Sequence, residues 1–499
     1  MKSNQLKSGV ILSYISRIVT IVVGLLYTPV MIRLLGQSEY GLYNIAASII
    51  AYLGVLNLGF GSAYMRFYSR YKVADDKDKI STLNGMFLGI FSFLGIIATI
   101  AGFILTLNVD TVFGPSLTIQ ELDTMRMLMF ILVINLGVSF PNIVFSTYIQ
   151  ANEQFVFANG LQIVQQVSTP LVTLPLLLTG YGSIGMVLGT TLVNIVIEFI
   201  NIPFSIRKLN MKFSFNNFDI DLLKEMSVYS FYIFINMVVD QVNQNVDKTI
   251  LGRYSGTLVT AIYSVGERME LVYQQLSTAI STVFTPRVHR MVAANISNQD
   301  LTRFFTRVGR IQFILLSFIL SGFVFFGRPF IGIWAGDNYY EAYPIALILM
   351  FTISVPLIQN VGIEIQRAKN MHQFRSWTYL FMAVGNLLIT IPLVQHFGGF
   401  GAAVGTALSY LIGNGLLMNL YNHFKIGLNM NYFWKEIASF IPAFIVPSIY
   451  GISINYFVDL YSIWNLLVYG LIYVVLFVLS MWRFGMNTYE KELVKSNFN

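Results

Sequence analysis

The sequence predicts an all-α polytopic membrane protein with about fourteen transmembrane helices. Of its 499 residues, 55% are hydrophobic and only 11% are charged, whereas a soluble domain carries about 25% charged residues. Apolar runs of the roughly 20 residues that cross a bilayer recur along the whole chain. Together, the composition and the repeated runs exclude a soluble globular protein.

The predicted spans are separated by short polar or glycine-containing connections. We place them at 11–34, 40–68, 80–107, 122–149, 155–178, 183–206, 228–252, 257–285, 308–334, 342–366, 374–396, 400–422, 433–457 and 463–483.

Basic residues give the predicted orientation. With the N-terminus inside, 24 of the 31 lysines and arginines fall in inner segments and four fall in outer loops. This bias predicts a multi-pass protein of the cytoplasmic (inner or plasma) membrane, with both termini cytoplasmic. It also accounts for the net charge of +7, so we expect no nucleic-acid partner.

The sequence lacks the residues that several classes of chemistry require. The chain has no cysteine, which excludes disulfides and thiolate metal sites. It contains neither an HExxH pair nor a GxxxxGK[ST] loop. The longest predicted outer loop, about 108–121, is too short for a catalytic domain. We therefore expect a transporter with no catalytic residues, no metal site and no organic cofactor.

The sequence also matches itself at an offset of about 216 residues. The segment LPLLLTGYGSIGMVLGTTL in spans five and six corresponds to IPLVQHFGGFGAAVGTAL in spans eleven and twelve. An even number of spans per repeat predicts two parallel six-helix lobes around a central cavity, with two extra C-terminal helices. The predicted regions are an N-lobe at 1–210, a cytoplasmic linker at 211–227, a C-lobe at 228–425, and helices 13–14 with the tail at 426–499.

A polar stripe interrupts the seventh span, in the stretch NMVVDQVNQNVDK at 236–248. Its four members recur at spacings of 4, 3 and 4, which places them on one helical face. A charge in mid-membrane costs about 2.5–3.5 kcal/mol even on the gentler scales, so this face must meet water, a partner helix or substrate. The stripe consists of Asn236, Asp240, Asn243 and Asp247, and Lys248 follows it.

The eighth span carries a second stripe, made of Glu267, Glu270, Gln274 and Ser281. Carboxylate, amide and hydroxyl groups are the partners that a ligand rich in hydroxyl groups needs. Arg268 and Asp240 are predicted to lie at the same depth on these two neighbouring helices. They form either a structural ion pair or a site in which Arg268 binds a phosphate group and Asp240 holds it or titrates.

Two further charged residues lie within spans. Arg17 in the first span is either a contact for an anionic ligand, since guanidinium binds oxyanions such as phosphate through a planar fork, or a residue that snorkels to the inner surface. Glu198 in the sixth span either packs within its lobe or lines the cavity. Lys248 is assigned to the substrate site, with pairing to Asp247 as the alternative.

The segment TPVMIRLLGQSEYGLYNIA at 28–46 resembles the start of the Wzx-type polysaccharide-biosynthesis flippases. These belong to the multidrug/oligosaccharidyl-lipid/polysaccharide exporter superfamily. Asp247 followed by Leu251-Gly252 in the seventh span is similar to the same family. The resemblance implies two six-helix lobes around a cavity. It also implies transport of an undecaprenyl-diphosphate-linked oligosaccharide to the outer leaflet for surface polysaccharide synthesis.

From the resemblance and the stripes we expect alternating access coupled to H⁺ or Na⁺. The expected substrate-binding residues are Arg17, Arg268, Lys248, Asn236, Asn243 and Gln274, and the expected coupling or cavity carboxylates are Asp240, Asp247, Glu267, Glu270 and Glu198. The expected partners are the lipid-linked glycan, membrane lipids, a polysaccharide polymerase and glycosyltransferases. The alternatives are an ion-coupled multidrug exporter, a peptidoglycan-precursor flippase and, with less support, a membrane polysaccharide polymerase.

Overall fold

The computed structural model describes residues 2–216, 219–371 and 373–496, which form helices joined by turns and short loops. The chain divides into two compact units, Met1–Ala261 and Ile262–Asn499. The predicted lobe boundaries lie elsewhere, and the predicted repeat stays a prediction.

Unit 1 contains one α-helix of 5 residues besides its longer α-helices. In chain order its helices are α1 (Lys2–Gly54), α2 (Phe60–Val73), α3 (Lys77–Leu107), α4 (Val109–Phe113), α5 (Ile119–Ala151), α6 (Phe155–Leu178), α7 (Gly182–Pro203) and α8 (Ile220–Tyr254). The next helix, α9 (Gly256–Ala293), begins in unit 1 and continues into unit 2.

Unit 2 is helical in the same way, and its last helix follows the final apolar span. The helices are α10 (Asn298–Trp334), α11 (Ala342–Ile358), α12 (Asn360–Ala368), α13 (Gln373–Tyr410), α14 (Met418–Tyr421), α15 (Met430–Ala438), α16 (Ile445–Phe457), α17 (Ile463–Ser480) and α18 (Thr488–Ser496).

The prediction of an all-α membrane protein is confirmed. Among the described residues, 11 helical segments are long and apolar enough to cross a membrane. Two of them, Ile11–Val73 and Gln373–Ile426, each contain two of the predicted spans. The remaining predicted span corresponds to α9, which carries three charged residues within one turn and is not among the 11.

Glycines break the two longest helices where the sequence predicts a change of span. Gly36 has φ 76° and Gly398 has φ 53°. Residues with a Cβ rarely adopt this left-handed region, so glycine is the residue that fits there. Gly36 therefore separates the predicted spans 11–34 and 40–68. Gly398 separates the predicted spans 374–396 and 400–422.

The predicted linker has a defined position where the structure describes it. The Asn84 side-chain amide donates to the carbonyl of Lys212 at 2.8 Å, and the Tyr64 hydroxyl donates to the Asn84 carbonyl oxygen at 2.5 Å. The backbone N–H of Ser214 donates to the carbonyl of Ser81 at 2.9 Å. Residues 211–216 are thus held against the N-terminal part of α3.

A buried arginine attaches the C-terminal helix to unit 2. Arg310 on α10 contacts both carboxylate oxygens of Glu490 on α18, at 2.6 and 3.0 Å. It also donates to the carbonyls of Glu436 and Gly485, at 2.8 and 3.0 Å, and to the Ser439 hydroxyl at 2.8 Å. Because every nitrogen of the guanidinium has a partner, the buried charge is fully satisfied.

Candidate functional site

The predicted polar stripe of the seventh span lies on α8, in unit 1. Asn236 and Asp240 are exposed, Asn243 is half-buried, and Asp247 is buried with 4% of its surface accessible. Asn236, Asp240, Asp247 and Lys248 each interact with another group of the protein, so none is a free side chain. Their role in substrate binding or ion coupling stays a prediction.

A second polar stripe on α8, which sequence reasoning missed, packs against α1. The Gln241 amide donates to the carbonyl of Ala51 at 3.0 Å, and the hydroxyls of Ser48 and Thr249 lie 3.2 Å apart. Asn245 donates to the Gln241 side chain at 2.7 Å. The spacing of 4 and 4 was a readable signal for a common face. By helical geometry this contact face lies roughly opposite the predicted stripe.

Arg17 on α1 is exposed and, among the described residues, makes no ion pair or hydrogen bond. The neighbouring face of α1 is buried against α6. There the Asn159 amide donates to the Gly9 carbonyl at 3.1 Å, and the hydroxyls of Tyr27 and Thr173 lie 2.7 Å apart. A permanently charged group without a counter-charge is available to an anionic ligand.

The predicted residues of the eighth span lie on the part of α9 that belongs to unit 2. Glu267, Arg268, Glu270 and Gln274 are half-buried. Glu267 and Glu270 interact with other groups, whereas Arg268 has no ion pair in the part of unit 2 that the structure describes. The expected pairing of Arg268 with Asp240 stays a prediction.

Unit 2 contains a large apolar cavity of about 740 Å³. The lining comes from α9, α10, α11, α13, α15 and the turn after α15, with Phe313, Leu320, Phe351, Val355, Trp434 and Phe444 among its residues. Sequence reasoning missed this cavity because an apolar lining has the same composition as a filled core. Its chemistry suits a hydrocarbon chain.

A small polar pocket in unit 2 surrounds another arginine. Arg375, in the first turn of α13, lies 4.6 Å from the Tyr379 ring. Its Nε is buried without a hydrogen-bond partner, and within the described chain it makes no ion pair. Gln359, Gln366 and other amide side chains share the pocket. Sequence analysis did not single out Arg375, which lies at the start of the predicted span 374–396.

Among the predicted carboxylates, Glu198 on α7 has an identified hydrogen-bond partner in unit 1. It is half-buried, and the Ser139 hydroxyl of α5 donates to its Oε1 at 2.5 Å. Asn142, one turn further along α5, lies beside the same carboxylate. The bond places Glu198 between α5 and α7 of unit 1, and its role in packing or in lining the cavity stays a prediction.

The described residues contain no group of three histidine, cysteine, aspartate or glutamate side chains that could hold a metal ion together. The charged and polar groups are instead spread along helices that bury apolar surface. Polar and charged groups on membrane-spanning helices are typical of transporters.

Comparisons with known proteins agree with this class. A Shigella flexneri protein described as an O-antigen transporter is 20% identical over 78% of this chain and 91% of its own length. The solved structure of a lipid II flippase, MurJ, in an inward closed conformation, has a TM-score of 0.75 at 19% identity, covering 95% of this chain and 97% of that one. An inward-facing multidrug transporter of the MATE family has a TM-score of 0.64 at 12% identity, over 84% and 99% of the two chains.

The chain is therefore a flippase or exporter of the multidrug/oligosaccharidyl-lipid/polysaccharide superfamily, a transporter and not an enzyme. Residues 6–292, more than half of the sequence, match the family described as polysaccharide biosynthesis protein, and the chain belongs to that family. The resemblance to Wzx-type flippases drawn from residues 28–46 is thus confirmed.

Proposed function

We propose that this protein moves a polyprenyl-diphosphate-linked oligosaccharide, with undecaprenyl as the lipid, from the inner to the outer leaflet of the cytoplasmic membrane. The product would supply synthesis of O-antigen, capsule or another surface polysaccharide. The observation that carries the proposal is the apolar cavity of about 740 Å³ in unit 2. A polyprenyl chain is a hydrocarbon that needs such a lining when its head group leaves the membrane surface.

The diphosphate and the glycan of this substrate also have matching groups in the protein. A diphosphate requires fixed positive charge, and Arg17, Arg268 and Arg375 make no ion pair among the described residues. Guanidinium groups bind phosphate oxygens through two parallel hydrogen bonds. The side-chain amides of Asn236, Asn243 and Gln274 can donate to sugar hydroxyls and accept from them. The Lys248 ammonium group can donate to them.

Transport proceeds in this proposal by alternating access, coupled to H⁺ or Na⁺ through intramembrane carboxylates. Asp240, Asp247, Glu267, Glu270 and Glu198 are the proposed candidates. Both termini lie in the cytoplasm, where glycosyltransferases assemble the substrate, and a polysaccharide polymerase uses the product on the other side. The relative described as an O-antigen transporter supports this substrate class.

The experiment is transport by the purified protein in liposomes that carry a labelled polyprenyl-diphosphate oligosaccharide in one leaflet. Arrival in the other leaflet is read with a glycan-modifying enzyme that cannot cross the bilayer. Parallel liposomes carry lipid II, a polyprenyl-monophosphate glycan, or a fluorescent cationic drug. Preference for the diphosphate oligosaccharide supports the proposal, preference for lipid II shifts the substrate to a peptidoglycan precursor, and transport of the drug alone contradicts it.

Substitutions test the diphosphate contacts in the same assay. Arg17→Ala and Arg268→Ala should lower transport of the diphosphate substrate, with partial recovery in the corresponding lysine variants. Arg303→Ala, which removes an exposed arginine paired with Asp300 at 3.6 Å, is the control and should leave transport unchanged. Normal transport in both alanine variants would remove the diphosphate role of these two residues.

Coupling is tested by collapsing each ion gradient in turn. Loss of transport with one gradient identifies the ion. Transport that persists when both the proton and the sodium gradients are collapsed would contradict ion coupling, while leaving the substrate assignment intact.

A further inference from the structure

The apolar cavity of unit 2 and the polar pocket around Arg375 lie end to end. Val355 of α11 lines the cavity, and Gln359 in the turn after this helix lines the pocket. On the helical segment that continues α13, Leu411 lines the cavity and Asn414 lines the pocket. Residues three or four apart lie on one side of a helix, so the same two helical faces form the wall of the cavity and then that of the pocket.

The pocket holds one hydrogen-bond donor and one acceptor that have no partner. Both Arg375 Nε and Gln366 Oε1 are buried without a hydrogen bond. Gln366 is only 1% exposed, and its side-chain amide donates to Asn422 Oδ1 at 2.7 Å, which leaves Oε1 as the free acceptor. A buried polar group without a partner costs about 1–3 kcal/mol, so a ligand that pairs both atoms gains that free energy.

The other polar groups of the pocket do not supply these partners. The Tyr379 hydroxyl donates to Asn414 at 3.1 Å, and the Gln359 amide donates to Asn419 at 3.2 Å. No carboxylate is among the lining residues, and within the described chain the Arg375 guanidinium makes no ion pair. A water molecule that bridged the two orphan atoms would leave the guanidinium charge uncompensated inside a membrane protein.

The size of the pocket limits the ligand. Its volume is about 20 Å³, little more than the roughly 10–15 Å³ that one water molecule needs on this measure. The pocket therefore admits the oxygen end of a phosphate group and excludes a sugar ring. The adjoining cavity of about 740 Å³ is apolar and takes a hydrocarbon. One cavity that ends in one pocket matches a lipid with a single chain and a phosphate at its end.

The orphan acceptor distinguishes between kinds of phosphate. A phosphomonoester has a second pKa of about 6, so it can carry one P–O–H group near neutral pH. That group donates to Gln366 Oε1 while another phosphate oxygen accepts from Arg375 Nε. A phosphodiester has no such proton, and neither has the diphosphate of a lipid-linked oligosaccharide, whose phosphorus atoms are both substituted. The singly charged monoester also balances the charge of one arginine, which burial favours.

We propose that the cavity and the Arg375 pocket form one site for a single-chain prenyl monophosphate, the carrier lipid without its glycan. Arg375 and Gln366 bind the phosphate, and the prenyl chain lies in the cavity. The inference rests on the proposed function for its physiological role, since the same carrier bears the glycan there. It assigns Arg375 to the spent carrier and leaves Arg17 and Arg268 as the diphosphate contacts.

The test is equilibrium binding of tritium-labelled farnesyl monophosphate to the purified full-length protein in detergent. We expect saturable binding that unlabelled farnesyl monophosphate displaces. The methyl diester of the same compound, farnesol, inorganic phosphate and phosphatidylglycerol should each compete at least about tenfold less well. This comparison uses the parent protein alone, so it does not depend on the folding of a variant. Absence of saturable binding, or equal competition by the diester or by phosphatidylglycerol, would overturn the proposal.

Variants locate the site. Arg375→Ala should weaken binding of the monophosphate about tenfold or more. Gln366→Met removes the acceptor at similar side-chain length, so it should lower the affinity for the monophosphate and leave that for the diester unchanged. Arg367→Ala, which removes an exposed arginine paired with Glu364 at 2.8 Å, is the matched control and should bind like the parent protein. Parent-like binding by Arg375→Ala, or an equal loss for both ligands in Gln366→Met, would contradict the assigned contacts.

This proposal and the proposed function fail in distinguishable ways. If farnesyl monophosphate binds as expected but the liposomes show no glycan transport, the site stands and the transport proposal fails. If the glycan is transported but no prenyl monophosphate binds, the site fails and the substrate assignment stands.

Discussion

The carboxylate of Glu121 accepts a hydrogen bond from the hydroxyl of Thr257 at 2.7 Å. The Ser38 hydroxyl donates to the same oxygen, Oε1, at 2.6 Å. The other oxygen, Oε2, accepts from the backbone N–H and the hydroxyl of Thr118, both at 2.9 Å, at the start of α5. One carboxylate thus joins α5, the segment after Gly36 in α1, and the first turn of α9.

Further contacts within unit 1 attach the connection between α8 and α9 to neighbouring segments. The Ser116 hydroxyl donates to the carbonyl of Gly252 at 2.6 Å, and the Arg253 guanidinium donates to the carbonyls of Thr111 and Val112. This connection belongs to the second lobe in the predicted repeat, and its bonds join it to segments of the first.

The Thr257 bond is testable by removing its hydroxyl. Thr257→Val keeps the shape of the side chain but leaves Glu121 with one donor fewer, and a hydrogen bond to a charged group is worth about 1.5–3 kcal/mol. We expect a lower thermal unfolding midpoint for Thr257→Val in detergent. Thr124→Val on α5 is the control, because the one hydrogen bond of the Thr124 hydroxyl among the described residues goes to the Gln120 carbonyl of its own helix. Equal midpoints in the two variants would show that the Glu121 network contributes nothing.

Gly41, in the segment that resembles the family, should not tolerate a side chain. A Cβ on Gly41 would collide with the backbone carbonyl of Thr257, which cannot move without displacing α9. Gly41→Ala should therefore destabilise the protein by about 1–3 kcal/mol through overpacking. A Cβ on Gly54 in the same helix meets open space, so Gly54→Ala should be neutral or stabilising. The comparison is made by thermal unfolding, and a stable Gly41→Ala protein would contradict the close contact.

The Arg310–Glu490 pair should be among the most sensitive polar contacts of unit 2. Both residues are at least 96% buried, and removing one partner of a buried pair costs about 3–5 kcal/mol because the other charge is stranded. Glu490→Gln should lower the unfolding midpoint strongly and make the C-terminal helix sensitive to protease. Asp300→Asn, which breaks an exposed pair with Arg303, should cost about 0–1 kcal/mol. Similar losses in the two variants would contradict the structural role of the buried pair.

The absence of native cysteine makes the predicted orientation directly measurable. Single cysteines at Thr179 and Ala294 lie at exposed positions in loops predicted to be outside and inside, respectively. A membrane-impermeant maleimide added to intact cells should label Thr179→Cys and not Ala294→Cys. Both should react after the membrane is permeabilised, which controls for accessibility. The reverse labelling pattern would invert the predicted topology.

Sequence reasoning predicted the helices well because a bilayer demands long apolar segments whose backbone groups are satisfied internally. The predicted span 155–178 coincides with α6, and 463–483 lies within α17 and the turn that follows it. Differences occur where helices extend into polar sequence. The predicted span 308–334 is part of Asn298–Trp334, because a helix continues past the apolar segment when the Ser297 hydroxyl caps its start by accepting from the N–H of Asp300.

The candidate site was harder to predict than the helices. The α8 stripe at Asn236 and Asp240 was recognised because charge is conspicuous in an apolar helix. The stripe at Gln241 and Thr249, which fastens α8 to α1, has the same spacing but uncharged members. Arg375 was not recognised as a site residue, since its pocket is built by residues distant in sequence.

The sequence by itself determined the class of the protein, the positions of its helices and the segment 28–46 that relates it to its family. These properties are local, because each depends on a run of about 20 apolar residues or a short motif. Only the tertiary structure decided that Arg310 is buried against Glu490, that an apolar cavity opens in unit 2 and that Ser139 of α5 donates to Glu198 of α7. Burial and hydrogen-bond satisfaction depend on which helices meet and at what rotation, and helical periodicity alone does not specify either.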